Sequence, residues 1–184
     1  RAATMFSPDG LLIQVEYADK TVKLGSSSIG MNCKEGVILI SDKRIRDKLI
    51  AAESVSKIFE IDEHVVGVSA GIIADARILI DNAQVLAQQN KVTYDSPIEP
   101  ITVIRMIADK KQMATQYGGL RPYGVAMMVA GISQNKGHLY TSDVFGNYLA
   151  YRANAIGEND EQIKESLRLE FREDLNIEQG LILA

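Results

Sequence analysis

The order of its apolar patterns is the feature that most restricts how this chain of 184 residues can fold. Short β-type segments occur in neighbouring pairs joined by turn residues such as Lys34-Glu35-Gly36, and two long helical stripes separate an early group of pairs from a late one. Neighbouring strands joined by tight turns form antiparallel hairpins, whereas a Rossmann-like parallel sheet needs a helix between successive strands. The pattern therefore predicts two antiparallel sheets stacked face to face and covered outside by helices. This arrangement is an α+β, four-layer αββα sandwich.

Local signals place the individual elements. The turn Ser7-Pro8-Asp9-Gly10 precedes a helix predicted over Leu11–Lys23, where apolar residues recur at helical spacing and Gly25 can end the helix. A last helix is predicted to open at Asn159, which has capping-box spacing to Gln162. Strands are predicted over residues 27–33, 37–40, 54–61, 65–69, 123–132, 138–143 and 148–156, with the two long helices through Ile73–Ala87 and Ile101–Ala108.

Length and composition bound the class of protein. The 184 residues correspond to a single domain, 1–184, and the hydrophobic share of 46% is ordinary for a chain with one sizeable core. The chain starts at Arg1 instead of methionine and ends in the apolar run 180–184, so we expect the native chain to continue at both ends. If it did end at Ala184, apolar surface would be exposed and the molecule would behave as a fragment.

Charge and residue counts argue against several kinds of partner. The formal net charge of −4 is the opposite of the basic excess that nucleic-acid binders usually carry. The single cysteine, Cys33, excludes an internal disulfide framework and fits a reducing cytoplasm. With one cysteine and two histidines, a structural zinc site would need mostly carboxylate ligands, which argues against such a site. The longest mostly uncharged stretch, 122–135, is too short to cross a bilayer. We therefore expect a cytoplasmic protein without a metal, a cofactor, a nucleic-acid partner or a membrane partner.

Five motifs in a fixed order carry a family resemblance. Phe6-Ser7-Pro8-Asp9-Gly10 followed by Gln14-Val15-Glu16-Tyr17-Ala18 resembles the signature of proteasome α-type subunits. The resemblance covers the whole chain and is closer to archaeal α subunits than to specialised eukaryotic ones. The other four matches are Gly36-Val37-Ile38-Leu39 before Asp42-Lys43-Arg44, Lys57-Ile58 before Ile61-Asp62, Gly71 before Ala74-Asp75-Ala76-Arg77, and Gln116-Tyr117-Gly118-Gly119 before Arg121-Pro122 and Gly124.

The resemblance implies a fold and a function. The family is a branch of the N-terminal-nucleophile hydrolase fold, which agrees with the αββα sandwich predicted above. It implies a seven-membered ring of α subunits stacked on a ring of catalytic β subunits, forming a barrel that degrades unfolded polypeptides. An α subunit in such a barrel is not an enzyme by itself. It gates the way into the proteolytic chamber and docks regulatory ATPases or activators.

An alternative reading makes the chain a hydrolase. By resemblance to β-type subunits, Ser26 matches the nucleophile, Asp42 an orienting carboxylate and Lys57 the nearby lysine, and Gly25 precedes Ser26 as in processed β subunits. That chemistry needs a free α-amine at the nucleophile to act as the base. If residues 1–25 stay attached, the nitrogen of Ser26 is an amide and cannot accept a proton. The two hypotheses differ in whether residues 1–25 remain in the mature protein.

The resemblance also implies which residues dock activators. The lysine matching Lys57 lies in a pocket between adjacent α subunits, where it pairs with the C-terminal carboxylate of a regulatory ATPase or activator. Gly71 matches a glycine beside this pocket, where a missing side chain lets the ligand backbone approach. An ammonium group is well suited to hold a terminal carboxylate. Without the resemblance, Lys57 would be interpreted as a solvated lysine on an edge strand.

A second group of residues is implied to support the gate. Pro8 and Tyr17 match the turn proline and the helix tyrosine that shape the segment around the axial pore, and Arg1 matches the last residue of a Tyr-Asp-Arg gate motif. From the residues alone, Pro8 would be an ordinary turn residue and Tyr17 a helix side chain with its hydroxyl at the surface.

Overall fold

The computed structural model describes residues 4–45 and 47–184, so Arg1 and its predicted role in the gate lie outside the described residues. The helices in these ranges are α1 Ile13–Val22, α2 Ile73–Tyr94, α3 Pro100–Gln116, α4 Asp160–Glu170 and α5 Ile177–Leu183. The strands are β1 Ser28–Cys33, β2 Gly36–Ser41, β3 Ile58–Asp62, β4 Val65–Gly71, β5 Val125–Ser133, β6 Lys136–Ser142, β7 Tyr148–Ala150 and β8 Ala153–Ile156.

The strands form two antiparallel sheets, as the hairpin pattern predicts. One sheet has the order β2-β1-β8 and the other the order β3-β4-β5-β6-β7. The helices α2 and α3 cover the five-stranded sheet, while α4 packs on β8 and α5 packs on β2. This arrangement confirms the α+β sandwich of four layers, αββα.

Three apolar clusters hold the layers together. One lies between α2, α3 and the five-stranded sheet and contains Leu79 and Ile104. A second lies between the two sheets and contains Met128 and Leu139, and a third lies under α4 and contains Met31. Alternate residues of β5 enter different clusters, because successive side chains of a strand point to opposite faces. The central strand β5 is therefore buried on both faces, which explains its nearly continuous apolar sequence.

Helix α1 closes one end of the space between the sheets. Its buried residues Val15, Ala18 and Val22 recur at helical spacing and join the inter-sheet cluster. The predicted turn precedes it, because the N–H of Gly10 donates to Ser7 O over 2.9 Å and Gly10 has φ of +77°. The helix thus lies where the sequence predicts it, two residues shorter at its start and one at its end.

The predicted strand 148–156 is wrong as a single element. The segment forms two strands, with β7 at the edge of the five-stranded sheet and β8 at the edge of the three-stranded sheet. The crossing is fixed at its middle, where Tyr151 N donates to Leu139 O and Arg152 O accepts from Asn32 N, each over 2.8 Å. Apolar periodicity cannot reveal such a crossing, because both strands face apolar clusters.

One predicted helix cap does not form, and one helix was not predicted. Asn159 has φ of +58° and its side chain makes no capping hydrogen bond, so the predicted capping box at the start of α4 does not form. A complete capping box occurs instead at Asn176 and Gln179, and it opens α5, a helix that the sequence reading missed. In addition, the predicted strand 54–61 begins only at Ile58, and Ala52–Ser54 form a short 3₁₀ turn.

Neither a membrane-crossing helix nor a cluster of metal-ligating side chains occurs in the part of the chain that the structure describes. None of the helices in residues 4–45 and 47–184 combines the length and the apolar character needed to cross a membrane. The same residues contain no group of three or more His, Cys, Asp or Glu side chains arranged to hold a metal ion.

A lysine lies completely inside the fold. Lys111 of α3 has 0% exposure, and its Nζ donates to both the backbone oxygen and the Oγ of Ser142, over 3.2 Å each. Burial lowers the pKa of Lys111 to about 7, and the charge of Asp143 opposes this effect only in part. In the unfolded chain the pKa returns to about 10.4. At a pH between these two pKa values, Lys111 binds a proton in the unfolded state but not in the folded state.

We expect this difference to make stability depend on pH. Raising the pH from 7 to 9 should increase the free energy of unfolding of the wild type by about 2 kcal/mol relative to Lys111→Met, because the cost of holding Lys111 without its proton falls. Urea unfolding of the two proteins across this range measures the difference. Parallel pH dependences of the two proteins would contradict the burial of a neutral Lys111.

Candidate functional site

The side chain of Lys57 is the centre of the candidate site. Lys57 immediately precedes the edge strand β3, yet only 8% of it is exposed. Its Nζ donates to Ser26 O over 2.6 Å and to Ser26 Oγ over 2.7 Å, and Ser28 Oγ lies 3.4 Å away. The interpretation of Lys57 as a solvated edge lysine is therefore wrong, because its ammonium group is held by serine oxygens at the start of the other sheet.

The charge of Lys57 is opposed by its burial and supported by a neighbour. Burial lowers the pKa of Lys57, the charge of Asp42 raises it, and that of Arg44 lowers it further. The net effect is a lowered pKa of Lys57. A partly desolvated ammonium group of this kind interacts strongly with any carboxylate that reaches it, because little water screens the pair.

Asp42 takes part in the site in a different way from the one predicted. Its backbone oxygen accepts the hydroxyl hydrogen of Ser26 over 2.8 Å, whereas its carboxylate pairs with Arg44 over 3.1 Å. Arg44 also binds Glu158 over 2.6 Å. The sequence reading missed Arg44 and Glu158 as members of the site. Arg44 stands in the quoted Asp42-Lys43-Arg44 motif, but no local signal links it to Glu158, which follows β8.

Two glycines bring the backbone close together beside Lys57. Gly71 ends β4 with φ of +117°, and a Cβ at this position would overlap the carbonyl oxygen of Gly124. A Cβ at Gly25 would overlap the backbone nitrogen of Gly71. The two positions require glycine for steric reasons, and Gly71 also for its backbone conformation. The structure thus brings together Gly71, Lys57, Ser26 and the predicted cleavage residue Gly25.

The peptide bond before Ser26 determines what this arrangement can do. The carbonyl oxygen of Gly25 accepts the N–H of Glu158 over 2.7 Å, and the N–H of Gly25 donates to Val22 O over 3.0 Å, so the segment is tied to α1. Within this chain the nitrogen of Ser26 is an amide, which cannot act as the base for its own hydroxyl. What the site offers is an ammonium group, two backbone glycines and a hydroxyl that is already hydrogen-bonded.

The predicted gate residues lie at the surface of the N-terminal segment. Pro8 is exposed in the turn before α1, and Tyr17 on α1 is 55% exposed. The Nζ of Lys20 lies 5.4 Å from the centre of the Tyr17 ring, a cation–π contact. Both positions agree with the simpler interpretations of a turn residue and a surface tyrosine, and the role in a gate stays a prediction.

Comparison with known proteins identifies the family. A family model described as "Proteasome subunit" matches residues 22–184, which is most of the chain. The chain belongs to the proteasome subunit family. The resemblance inferred from the five ordered motifs is thereby confirmed, and so is the N-terminal-nucleophile hydrolase type of the sandwich.

Three relatives to which this proteasome family member is similar come from archaea. It is 48% identical over 183 residues to "Proteasome subunit alpha" of Archaeoglobus fulgidus and 47% identical over 183 residues to that of Methanosarcina acetivorans, with 100% of this chain and 74% of each relative covered. It is 45% identical over 184 residues to the protein of the same name from Methanocaldococcus jannaschii, of which 70% is covered. Within the family the chain is an archaeal-like α-type subunit.

The close backbone approach at the site gives a direct test. Gly71→Ala and Gly25→Ala should each lower the free energy of unfolding by at least about 2 kcal/mol, because the added methyl group overlaps backbone atoms that cannot move away cheaply. Gly118→Ala is the matched control, since a Cβ at Gly118 meets nothing within 4 Å. Thermal and urea unfolding measure the effect. Equal stability of all three variants would contradict the packing described here.

Proposed function

We propose that this α-type proteasome subunit is a non-catalytic ring subunit. In this role it gates the access of unfolded polypeptides to a proteolytic chamber and docks the C-terminal carboxylates of regulatory ATPases or activators. The observation that carries the proposal is that the nitrogen of Ser26 is an amide. Residues 4–25, which precede it in the chain, are folded and include a turn and α1. Without an amine base the hydroxyl cannot follow the chemistry of an N-terminal nucleophile. The group of the site that can still bind a ligand is the ammonium group of Lys57.

The contacts of Lys57 support its proposed role in docking. Its present acceptors are the neutral oxygens of Ser26, at 2.6 and 2.7 Å. A carboxylate forms shorter and stronger hydrogen bonds with an ammonium group than neutral oxygens do, so an incoming C terminus competes well for Lys57. Gly71 is half-buried at the end of β4, packed against Gly25 and Gly124, and its proposed place beside a docked peptide rests on the family resemblance.

The surface of the chain supports assembly with other subunits. Several large apolar side chains are strongly exposed, among them Leu24 at 83%, Val92 at 86% and Leu169 at 86%. Single exposed apolar residues are common on proteins, and these three, in the turn after α1, on α2 and on α4, are available for burial against partners. We expect a seven-membered ring of α subunits that stacks on proteasome β subunits.

The gate is proposed to involve the N-terminal segment. Pro8 and Tyr17 are exposed and lie on the turn and helix that precede Gly25. Their surface positions leave them available to contact neighbouring subunits or the residues before them, including Arg1. This part of the proposal rests on the family resemblance together with exposure.

The docking role predicts a specific loss in a Lys57 variant. In a core particle assembled with β subunits, Lys57→Ala and Lys57→Met should abolish the stimulation of substrate degradation by an activator, because the carboxylate loses its ammonium partner. Size-exclusion chromatography should still show a particle of unchanged size.

Lys136→Ala provides the matched control. Lys136 is an exposed lysine at the start of β6, where it pairs with Ser133. Ser133 ends β5, whereas Gly71 pairs with the first residue of β5, so Lys136 lies at the far end of this strand. This variant should respond to the activator like the wild type. Normal stimulation of Lys57→Ala would refute the docking role.

One observation favours the alternative function. The 2.7 Å distance between Lys57 Nζ and Ser26 Oγ is suitable for a lysine that activates a nucleophile. Cleavage between Gly25 and Ser26 would release the amine that such a hydrolase needs. The alternative is therefore a hydrolase that uses Ser26 after this cleavage.

The two functions differ in the mass of the mature chain. We expect intact-mass spectrometry to find residues before Ser26 still attached, and chains purified without β subunits to leave fluorogenic peptides uncut. A mature chain beginning at Ser26, with peptide turnover that Ser26→Ala removes, would establish the hydrolase instead.

A further inference from the structure

An ion pair between a buried carboxylate at the start of α2 and a surface arginine is not part of the site described above. Asp75 is 4% exposed, and its carboxylate binds Arg121 through two hydrogen bonds of 2.7 and 2.8 Å. The same carboxylate accepts the N–H of Gly124 over 2.9 Å. Burial by itself would raise the pKa of Asp75, but the hydrogen bonds from Arg121 and Gly124 lower it overall. The carboxylate is therefore charged and fully occupied.

This pair differs from the fully exposed ion pairs of the described residues. In the Arg152–Glu173 pair, for example, the side chains are 80% and 66% exposed. Such surface pairs contribute little, whereas removing one partner of a buried carboxylate leaves an uncompensated charge. Arg121 itself is 64% exposed at its side chain, so the pair connects a surface residue to a buried one.

Gly124 passes the effect of this pair to the candidate site. Its N–H is held by Asp75, and its carbonyl oxygen accepts hydrogen bonds from Ile72 N over 2.9 Å and from Thr21 Oγ1 over 3.0 Å. The same oxygen occupies the space that a Cβ on Gly71 would need. The position of Gly124 thus sets the position of Gly71.

Thr21 and Gly71 connect Gly124, and through it the Asp75–Arg121 pair, to Lys57. Thr21 lies in the last turn of α1, and its hydrogen bond to Gly124 ties the end of this helix to the start of β5. Gly25 follows the helix and lies against the backbone nitrogen of Gly71. The next residue, Ser26, binds the ammonium group of Lys57. Each step of this connection is a hydrogen bond, a chain neighbour or a backbone contact.

We propose that the Asp75–Arg121 pair is a positioning element for the carboxylate-docking site, and that it sets how tightly the site binds a peptide C terminus. This inference rests on the proposed docking function of Lys57. Asp75 and Arg121 act through Gly124 on Gly71 and on the end of α1, and they do not themselves contact the ligand. The pair therefore determines the affinity for the docked peptide. The stimulation of hydrolysis once the site is fully occupied depends on other residues.

The shape of the arginine side chain is essential to this role. Its planar guanidinium group forms two parallel hydrogen bonds to Asp75, and NH1 also donates to Pro122 O over 2.9 Å. A lysine at this position keeps the charge but offers a single point of attachment. Arg121→Lys should therefore weaken the positioning of Asp75, and Arg121→Gln should weaken it more.

The experiment uses core particles assembled from this chain and proteasome β subunits. The probe is a short synthetic peptide with the C-terminal sequence of the regulatory ATPase that works with the particle, with a free C-terminal carboxylate, and peptide hydrolysis is measured against its concentration. The same peptide with an amidated C terminus controls for the carboxylate. The variants are Arg121→Gln, Arg121→Lys and Asp75→Asn, with Arg152→Gln as a matched arginine control and Lys57→Ala as a reference for lost docking.

We expect the concentration of peptide that gives half of the maximal stimulation to rise at least about fivefold in Arg121→Gln and less in Arg121→Lys. Maximal stimulation at saturating peptide should equal that of the wild type, and Arg152→Gln should match the wild type in both quantities. This separation of affinity from maximal response is not expected from a general loss of folding. If Arg121→Gln does not assemble, the shift in Arg121→Lys or Asp75→Asn decides.

Two results would overturn the inference while leaving the docking function in place. One is a half-stimulating concentration that is unchanged in the Arg121 and Asp75 variants while Lys57→Ala loses stimulation. The other is a fall in maximal stimulation with the half-stimulating concentration unchanged. If instead Lys57→Ala is stimulated normally, or the amidated peptide acts like the free carboxylate, the proposed docking function itself fails.

Discussion

The burial of one ammonium group organises the end of the sandwich where the candidate site lies. Lys57 precedes a strand of the five-stranded sheet, and its partner Ser26 precedes a strand of the three-stranded sheet. A buried ammonium group must be matched by hydrogen-bond acceptors, so the two sheets cannot move apart here without exposing an unpaired charge. The close approach of Gly25 to Gly71 occurs beside this contact and depends on the same alignment of the sheets.

The difference between a nucleophile site and a docking site lies in one covalent bond. The distance from Lys57 to the hydroxyl of Ser26 would suit either function. The peptide bond between Gly25 and Ser26 removes the amine base, and the contacts of Gly25 with Glu158 and Gly71 hold this bond in place. Helix α1 is packed on the inter-sheet cluster directly before it. The same geometry can thus serve the proposed docking without catalysis, because the contacts that position the lysine do not depend on an amine base.

The parts of the fold that depend on local patterns could be predicted from the sequence, and the parts that depend on distant contacts could not. The hairpins and the two long helices follow from periodicity and from turn residues. The crossing at Tyr151 was missed because it depends on which sheet each half of the segment joins. Local patterns do not indicate the burial of Lys57, whose acceptors on Ser26 lie 31 residues earlier, and only the resemblance to β-type subunits places Lys57 near Ser26. Capping-box spacing occurs both at Asn176 and Gln179, where the box forms, and at Asn159 and Gln162, where it does not, so spacing alone does not distinguish the two sites.

The two buried lysines show how similar contacts lead to different roles. Lys57 and Lys111 each donate to the backbone oxygen and the hydroxyl of a single serine, Ser26 and Ser142 respectively. Lys111 is sealed at 0% exposure, and burial lowers its pKa to about 7, so it can serve only the interior of the fold. Lys57 keeps 8% exposure and lies near the charge of Asp42. A lysine that combines partial desolvation with access is the one that can exchange a serine oxygen for an external carboxylate. Its position at the rim of the sandwich, more than its residue type, therefore makes Lys57 the functional candidate.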